Sequence, residues 1–214
     1  MSLPGKIWLY RITHIHNLLY ILQNGIYTST SPHFDPNYKN IGDSSLINYR
    51  KGLDACDPPG GKLSEYVPFY LGPRSPMLYQ IARGYEDIPK HAQEDIVYLI
   101  SSVDQVEAHN LSYFFTDGHA RSDTSAYYNK KEDFDRLDWD TIYSTHWISD
   151  ETDLRRKSKK QSELLVKEHL PITAVDYIGV FNKTAEQKVS DLLAEADLNI
   201  NIRISPAKLF YDHL

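Results

Sequence analysis

The segment Gln161-Ser162-Glu163-Leu164-Leu165-Val166 plants one carboxylate in an apolar run, and the basic run Arg155-Arg156-Lys157-Ser158-Lys159-Lys160 leads directly into it. The segment reads as a strand. A carboxylate there is costly unless it is paired, hydrogen-bonded or used, which makes Glu163 the first candidate for chemistry; the plainer reading is a surface carboxylate on a strand. Five of the six residues from Arg155 to Lys160 are basic, and they read either as a solvated loop or as a lip that contacts phosphates beside an active site. A second segment, Tyr66-Val67-Pro68-Phe69-Tyr70-Leu71-Gly72-Pro73-Arg74-Ser75-Pro76-Met77-Leu78-Tyr79, packs three prolines, one arginine and three tyrosines into fourteen residues. It has little backbone freedom and many ring faces, which suits a rigid wall beside a ligand.

Other chemistry is thinly signalled. There is no Gly-rich phosphate loop, no Gly-x-Gly-x-x-Gly and no His-Glu-x-x-His. Of nine histidines, the closest pair, His14 and His16, has no identifiable carboxylate partner, so no metal site is expected. The single cysteine, Cys56, excludes an internal disulfide and a Cys-based zinc site. No apolar run approaches the ~18 residues of a membrane span, and the N-terminus lacks the layout of a secretion signal, so a cytoplasmic location is expected. With 41% hydrophobic and 24% charged residues the chain is globular, and its 214 residues are expected to form one domain, 1–214. A net charge of −6 argues against a general nucleic-acid binder, but the local basic run matters more than the sum.

The elements that must position these residues are mixed. Strands are expected at 7–12, 67–71, 95–101, 111–116, 161–167, 175–181 and 199–204. Helices are expected at 16–24, with Gly25 where a C′ glycine belongs, at 77–83 ended by Gly84, across much of 133–147, and at 184–196; a short helix within 41–53 holds Arg50. Residues 29–43 read as loop, and Pro58-Pro59-Gly60-Gly61 is a hard break. Strands and helices do not alternate regularly, so an α+β fold is expected rather than a doubly wound parallel sheet.

Tyr10-Arg11-Ile12-Thr13-His14-Ile15-His16-Asn17, Asn40-Ile41-Gly42 with Arg50 downstream, Tyr66 to Tyr79, Phe115-Thr116-Asp117-Gly118-His119-Ala120, Leu137-Asp138-Trp139 and Gln161-Ser162-Glu163 occur in the order found in the DarT family. The chain resembles these bacterial toxins, which ADP-ribosylate DNA, over residues 7 to 180. Position 162 is Ser where Ala is more usual, and position 11 varies between Arg and His in the family. The resemblance implies an ADP-ribosyltransferase-like fold, a split β-sheet around an NAD-binding cleft. It implies NAD as donor, no metal, and a base in single-stranded DNA as acceptor, with thymine favoured and guanine the alternative. Glu163 matches the catalytic glutamate, which stabilises an oxocarbenium-like transition state by hydrogen-bonding a ribose hydroxyl. Arg50 matches an arginine over the cofactor, where its guanidinium can clamp phosphates or assist loss of the base proton.

By the same resemblance Arg11, Thr13, His14, Asn17 and Gly25 belong to the NAD pocket, although Thr13 or His14 could simply cap the following helix. Tyr70 and Met77 resemble residues flanking nicotinamide and the incoming base, or they are core. His119 orients the base or ties down its loop. The 29–61 stretch fits a segment folded over NAD, and 141–160 a substrate-facing loop. Arg74, Arg155, Arg156 and Lys157 are the candidate DNA contacts, with Arg121 as a further possibility. A cognate macrodomain antitoxin and a monomeric state are expected. Two other classes stay open: a cofactor-independent nuclease toxin using His14, His119 and Glu163, and a non-enzymatic nucleic-acid-binding module.

Overall fold

The computed structural model describes residues 3–85 and 88–211. In chain order the strands are β1 (Trp8–His14), β2 (Ile26–Tyr27), β3 (Tyr66–Tyr70), β4 (Ile96–Ser102), β5 (Tyr113–Thr116), β6 (Tyr127–Tyr128), β7 (Glu163–Lys167), β8 (His169–Leu170), β9 (Tyr177–Val180) and β10 (Asn201–Ile204). The helices are α1 (Leu18–Asn24), α2 (Ser44–Arg50), α3 (Pro76–Arg83), α4 (Val103–Ala108), α5 (Trp139–Tyr143), α6 (Arg156–Lys160), α7 (Lys183–Glu195) and α8 (Pro206–Leu209).

Eight strands form one sheet in the order β10-β9-β4-β1-β3-β7-β5-β6, and β2 pairs with β8 apart from it. Among the described residues, only β10 and β9 run parallel. β1 aligns with β4 from Trp8–Ser102 to His14–Ile96, and β3 with β7 from Tyr66–Lys167 to Tyr70–Glu163. Between these halves β1 and β3 meet at the single pair Tyr10–Tyr70. The sheet is therefore split at its middle, as the α+β expectation with a split sheet required, and Glu163 stands across from Tyr70 at the split.

Period-two alternation sorts the side chains. Leu9, Val97, Leu99, Phe69, Leu164 and Val166 join the main core with residues of α1, α5 and α7. Tyr10, Ile12, Tyr98 and Ile100 face the other way, against Leu78 and Ile81 of α3 and Leu209 of α8. On β7, Leu165 packs with Tyr66 and Phe114 in a third cluster. Glu163, two residues before Leu165, therefore shares its face and not that of the main core.

The short strands β2, β6 and β8 and helix α8 were not expected, and two stretches near the site differ from the reading of the sequence. The 133–147 stretch is a 3₁₀ turn at Lys131–Arg136 followed by the single short helix α5. Helix α5 ends where Ser144 turns extended (φ −59°, ψ 146°), and the freed Ile142 carbonyl accepts from Lys160 Nζ at 2.7 Å. The 155–160 run is a short helix, α6, and not a loop.

Candidate active site

Glu163 is 2% exposed. Arg50, the last residue of α2, donates from Nη1 to both its oxygens, at 3.1 and 3.0 Å. The backbone N–H of Ala120 donates to Oε1 at 3.2 Å. His119 Nδ1 stands 3.1 Å from the same oxygen and accepts from the Arg121 N–H at 3.3 Å. The Glu163 N–H donates to Thr116 Oγ1 at 3.3 Å, and that hydroxyl donates to the Gly118 carbonyl at 2.6 Å, so β5 and its following turn fix the carboxylate from behind.

Burial alone opposes ionisation of Glu163. The Arg50 cation, then His119 and the Ala120 N–H, outweigh it and hold the carboxyl below its usual range. Burial pushes the His119 imidazole below its ordinary value, with the Glu163 charge working against that shift. Burial, then Glu163, raises Tyr70, which stays a phenol at neutral pH.

The carboxylate sits in a cavity of about 510 Å³, whose walls include Arg11, Arg50, Tyr70, Met77 and His119. Tyr70 Oη lies 3.8 Å from Met77 Sδ, so these two form one wall. Ser75 caps α3 at the Leu78 N–H (3.3 Å), with Pro76 in the first turn, and this start to the helix places Met77. The opposite wall runs from Tyr27 through α2. Asp43 caps α2 by accepting from the Ser45 and Leu46 N–H groups, yet α2 buries no residue, so it roofs the cavity without anchoring in a core. Two buried donors on the cavity wall have no partner, Arg11 Nε and Arg50 Nη2. Unpaired buried donors are costly, and here they are hydrogen bonds held open for a ligand.

Thr13, His14, Asn17 and Gly25 lie behind the wall and not in it. Asn17 donates to Thr13 Oγ1 (3.0 Å) and exchanges hydrogen bonds with the Lys39 backbone at 2.9 and 2.7 Å, which pins the loop over the cavity. His14 Nδ1 accepts from the His16 N–H at 3.0 Å, so it does cap the turn that follows, and its Nε2 lies 2.9 Å from Lys39 Nζ. Burial, then Lys39, lowers His14 to about 4, which leaves it neutral. Gly25 has φ +82°, and a Cβ there would come within 2.3 Å of His169 Nε2.

The expected DNA contacts are largely spoken for within the chain. Arg74, at φ +53°, donates from Nη1 to the Ala207 carbonyl of α8 at 3.0 Å. Arg155 pairs with Asp117 at 3.1 Å, Arg156 with Asp150, and Lys159 with Asp138 and Asp153 at 3.0 and 2.9 Å. Lys160 is fully buried. Among the described residues of this run, only Lys157 keeps a side-chain charge without a partner. Asp117 and Asp138, distant in sequence, and Asp150 and Asp153, each six residues from its partner, pair with the cations of this run and anchor α6. The reading of the sequence missed Thr116 and the Ala120 N–H as supports of Glu163. Both fall in the Phe115 to Ala120 segment, but a backbone N–H has no residue-type signature.

The arrangement is a preorganised, ionised carboxylate held by the Arg50 cation and the Ala120 N–H beside a large cavity. It can stabilise positive charge developing on a bound sugar without reorganising.

The family described as "ssDNA thymidine ADP-ribosyltransferase, DarT" matches residues 10–211. A DNA ADP-ribosyl transferase of Escherichia coli O127:H6 is 33% identical over 199 residues, covering 93% of this chain and 91% of the relative. The solved structure of Thermus sp. 2.9 DarT in complex with ADP-ribosylated ssDNA superposes with a TM-score of 0.89 at 29% identity, covering 98% of this chain and 99% of that one. The same protein in complex with NAD+ gives 0.83, also at 29% identity, over 98% and 100%. A DNA ADP-ribosyl transferase–DNA ADP-ribosyl glycohydrolase fusion protein of Thermosipho africanus is 28% identical over 206 residues, 95% of this chain and 49% of the fusion. With the buried Glu163–Arg50 pair at the split of the sheet and a family match from residue 10 to residue 211, this chain belongs to the DarT family of single-stranded-DNA thymidine ADP-ribosyltransferases.

Proposed function

We infer that this protein is a toxin enzyme that transfers ADP-ribose from NAD to thymine in single-stranded DNA. The observation that carries the reading is the buried, ionised Glu163 held by Arg50 and the Ala120 N–H on the floor of a cavity of about 510 Å³. The cavity fits a dinucleotide: its volume lies in the range of small-molecule sites, and the unpaired Arg11 Nε and Arg50 Nη2 supply donors for anionic oxygens.

Bound NAD supplies a ribose carbon whose nicotinamide departs without needing an acid. Glu163 accepts from the ribose hydroxyl and stabilises positive charge on the sugar. Arg50 holds Glu163 through Nη1 and keeps Nη2 for the ligand. An arginine does not give up its proton near neutral pH, so Arg50 favours the thymine imide anion by its charge and not as a base. Neutral His119, beside Glu163, orients the base, and the imide proton leaves to water. A duplex hides the pairing edge of the base, so the acceptor must be unpaired. The protein acts as one domain, residues 1–214, and as a monomer. A separate macrodomain partner reverses the modification, a reading supported by the fused glycohydrolase of the Thermosipho africanus relative.

The test is to incubate the protein with NAD and single-stranded oligonucleotides that offer one kind of acceptor base each, and to weigh the products. Addition of one ADP-ribose to the thymine oligonucleotide alone is expected. Strand cleavage without NAD, or addition to guanine, would overturn the reading.

A further inference from the structure

The turn that starts α3 is strained and is held from outside. Arg74 has φ +53°, a left-handed conformation that is costly for a residue with a Cβ and persists only where the surroundings over-determine it. Three segments fix it here. Its N–H donates to Tyr98 Oη of β4 at 3.2 Å, and its guanidinium to the Ala207 carbonyl of α8 at 3.0 Å. Its own carbonyl accepts from Tyr211 Oη at 2.8 Å, and the same hydroxyl lies 3.3 Å from the Ser75 carbonyl. Ser75 is the residue that caps α3, and Met77, two residues on, forms the cavity wall with Tyr70. One phenol therefore bears on the two peptides that aim Met77.

Tyr211 is itself fixed. Phe210 before it is fully buried and stands edge-on to Tyr98 at 5.3 Å and to Phe181 at 5.5 Å. The Tyr211 backbone exchanges hydrogen bonds with the Gln93 side chain at 2.7 and 2.8 Å. Its ring meets Tyr79 of α3 edge-on at 5.4 Å. Burial pushes its phenol up, so the hydroxyl stays a donor at neutral pH. Trp147, between α5 and α6, meets the Tyr79 ring at 5.5 Å and hydrogen-bonds the Tyr211 hydroxyl. The phenol thus joins the Tyr70–Met77 wall to the stretch expected to face the substrate. Tyr211 does not line the cavity, so whatever it contributes to the chemistry passes through that wall.

We propose that Tyr211 is a positioning residue for the transfer, holding the Arg74–Ser75 turn so that Met77 and Tyr70 present one preformed wall to the ligands. The inference rests on the ADP-ribose-transfer reading. A wall that drifts loses rate through misalignment of the bound reactants, whereas a plain brace of the fold contributes to stability only.

The test is a double-mutant cycle between Tyr211→Phe and Met77→Ala. Tyr211→Phe removes the hydroxyl and keeps the ring on Tyr79. At saturating NAD and DNA its kcat should fall about tenfold, the size of one buried hydrogen bond, with KM for either ligand changed by less than about twofold. Met77→Ala should lose activity by itself, and should cost much less in the Tyr211→Phe background, where the wall is already loose. Equal cost of Met77→Ala in both backgrounds, or a wild-type kcat in Tyr211→Phe, would overturn the proposal and leave Tyr211 a brace of the fold. Full activity in Met77→Ala would overturn it as well, since the wall would then not matter. A rise in KM for DNA with kcat unchanged would make Tyr211 part of strand binding and not a positioning residue. If the wild-type protein modifies no strand at all, the transfer reading fails and the positioning role falls with it.

Discussion

Glu163 and Arg50 meet through one nitrogen and two oxygens, and not through the two-nitrogen fork that arginine usually offers a carboxylate. Nη2 is left buried and unpaired, so the resting pair is incomplete without a ligand. Glu163→Gln keeps the shape and removes the charge. Transfer measured by mass spectrometry should fall about 10²–10³-fold, because the charge acts on the transition state more than on bound NAD. Calorimetric NAD affinity should stay near that of the wild type. Retention of a tenth of the activity would remove Glu163 from the role. Arg50→Lys should lose at least ~10²-fold as well, because a point charge on Glu163 leaves no second nitrogen for the ligand. Full activity in the lysine variant would show that net charge alone suffices there.

Helix α6 and strand β7 form one mechanical element, and Lys160 is the peg. Its ammonium is buried on the Ile142 carbonyl, the same oxygen that a Cβ at Gly72 would approach to 2.3 Å. Burial, then Arg74, lowers its pKa from 10.5 to about 7. The folded pKa lies below the unfolded one, so between these values the unfolded chain holds a proton that the folded one lacks, and stability rises with pH across that window. From pH 7 to pH 9 the wild type should gain about 2 kcal/mol relative to Lys160→Met in urea unfolding. Equal pH dependence in both proteins would show that Lys160 is not the cause. The ion pairs of α6 bear on DNA binding in the same way. Neutralising Arg155, Arg156 and Lys157 together should flatten the log K against log salt slope by no more than ~0.7, one phosphate, because only Lys157 is free. A change of about 2 in titrations across sodium chloride would restore the run as a DNA lip.

At the scale of the whole molecule, the sheet is two well-paired halves joined at Tyr10–Tyr70, with the cleft at the join. β4 is paired along β1 and in part along β9, whereas β3 is paired along β7 only. In hydrogen exchange, the peptide covering Tyr66–Leu71 should exchange faster than that covering Ile96–Ser102. Added NAD should slow the first and leave the second unchanged. Identical protection of both peptides without NAD would mean that the seam does not open.

The sequence by itself determined the α+β class and most of the strands, and it marked Glu163 as a candidate, because a carboxylate in an apolar strand is visible as a violated pattern; its role came through resemblance. Arg50 was legible only through resemblance, since an arginine on a short polar helix breaks no rule. Tertiary structure alone decided the rest. Thr13, His14 and Asn17 sit beside the cavity in sequence, yet they serve the loop at Lys39. The 155–160 run reads as free charge, but Asp117, Asp138, Asp150 and Asp153 claim most of it. Periodicity and composition record what each residue prefers; whether a charge is spent or available depends on which partner the fold places within 4 Å of it.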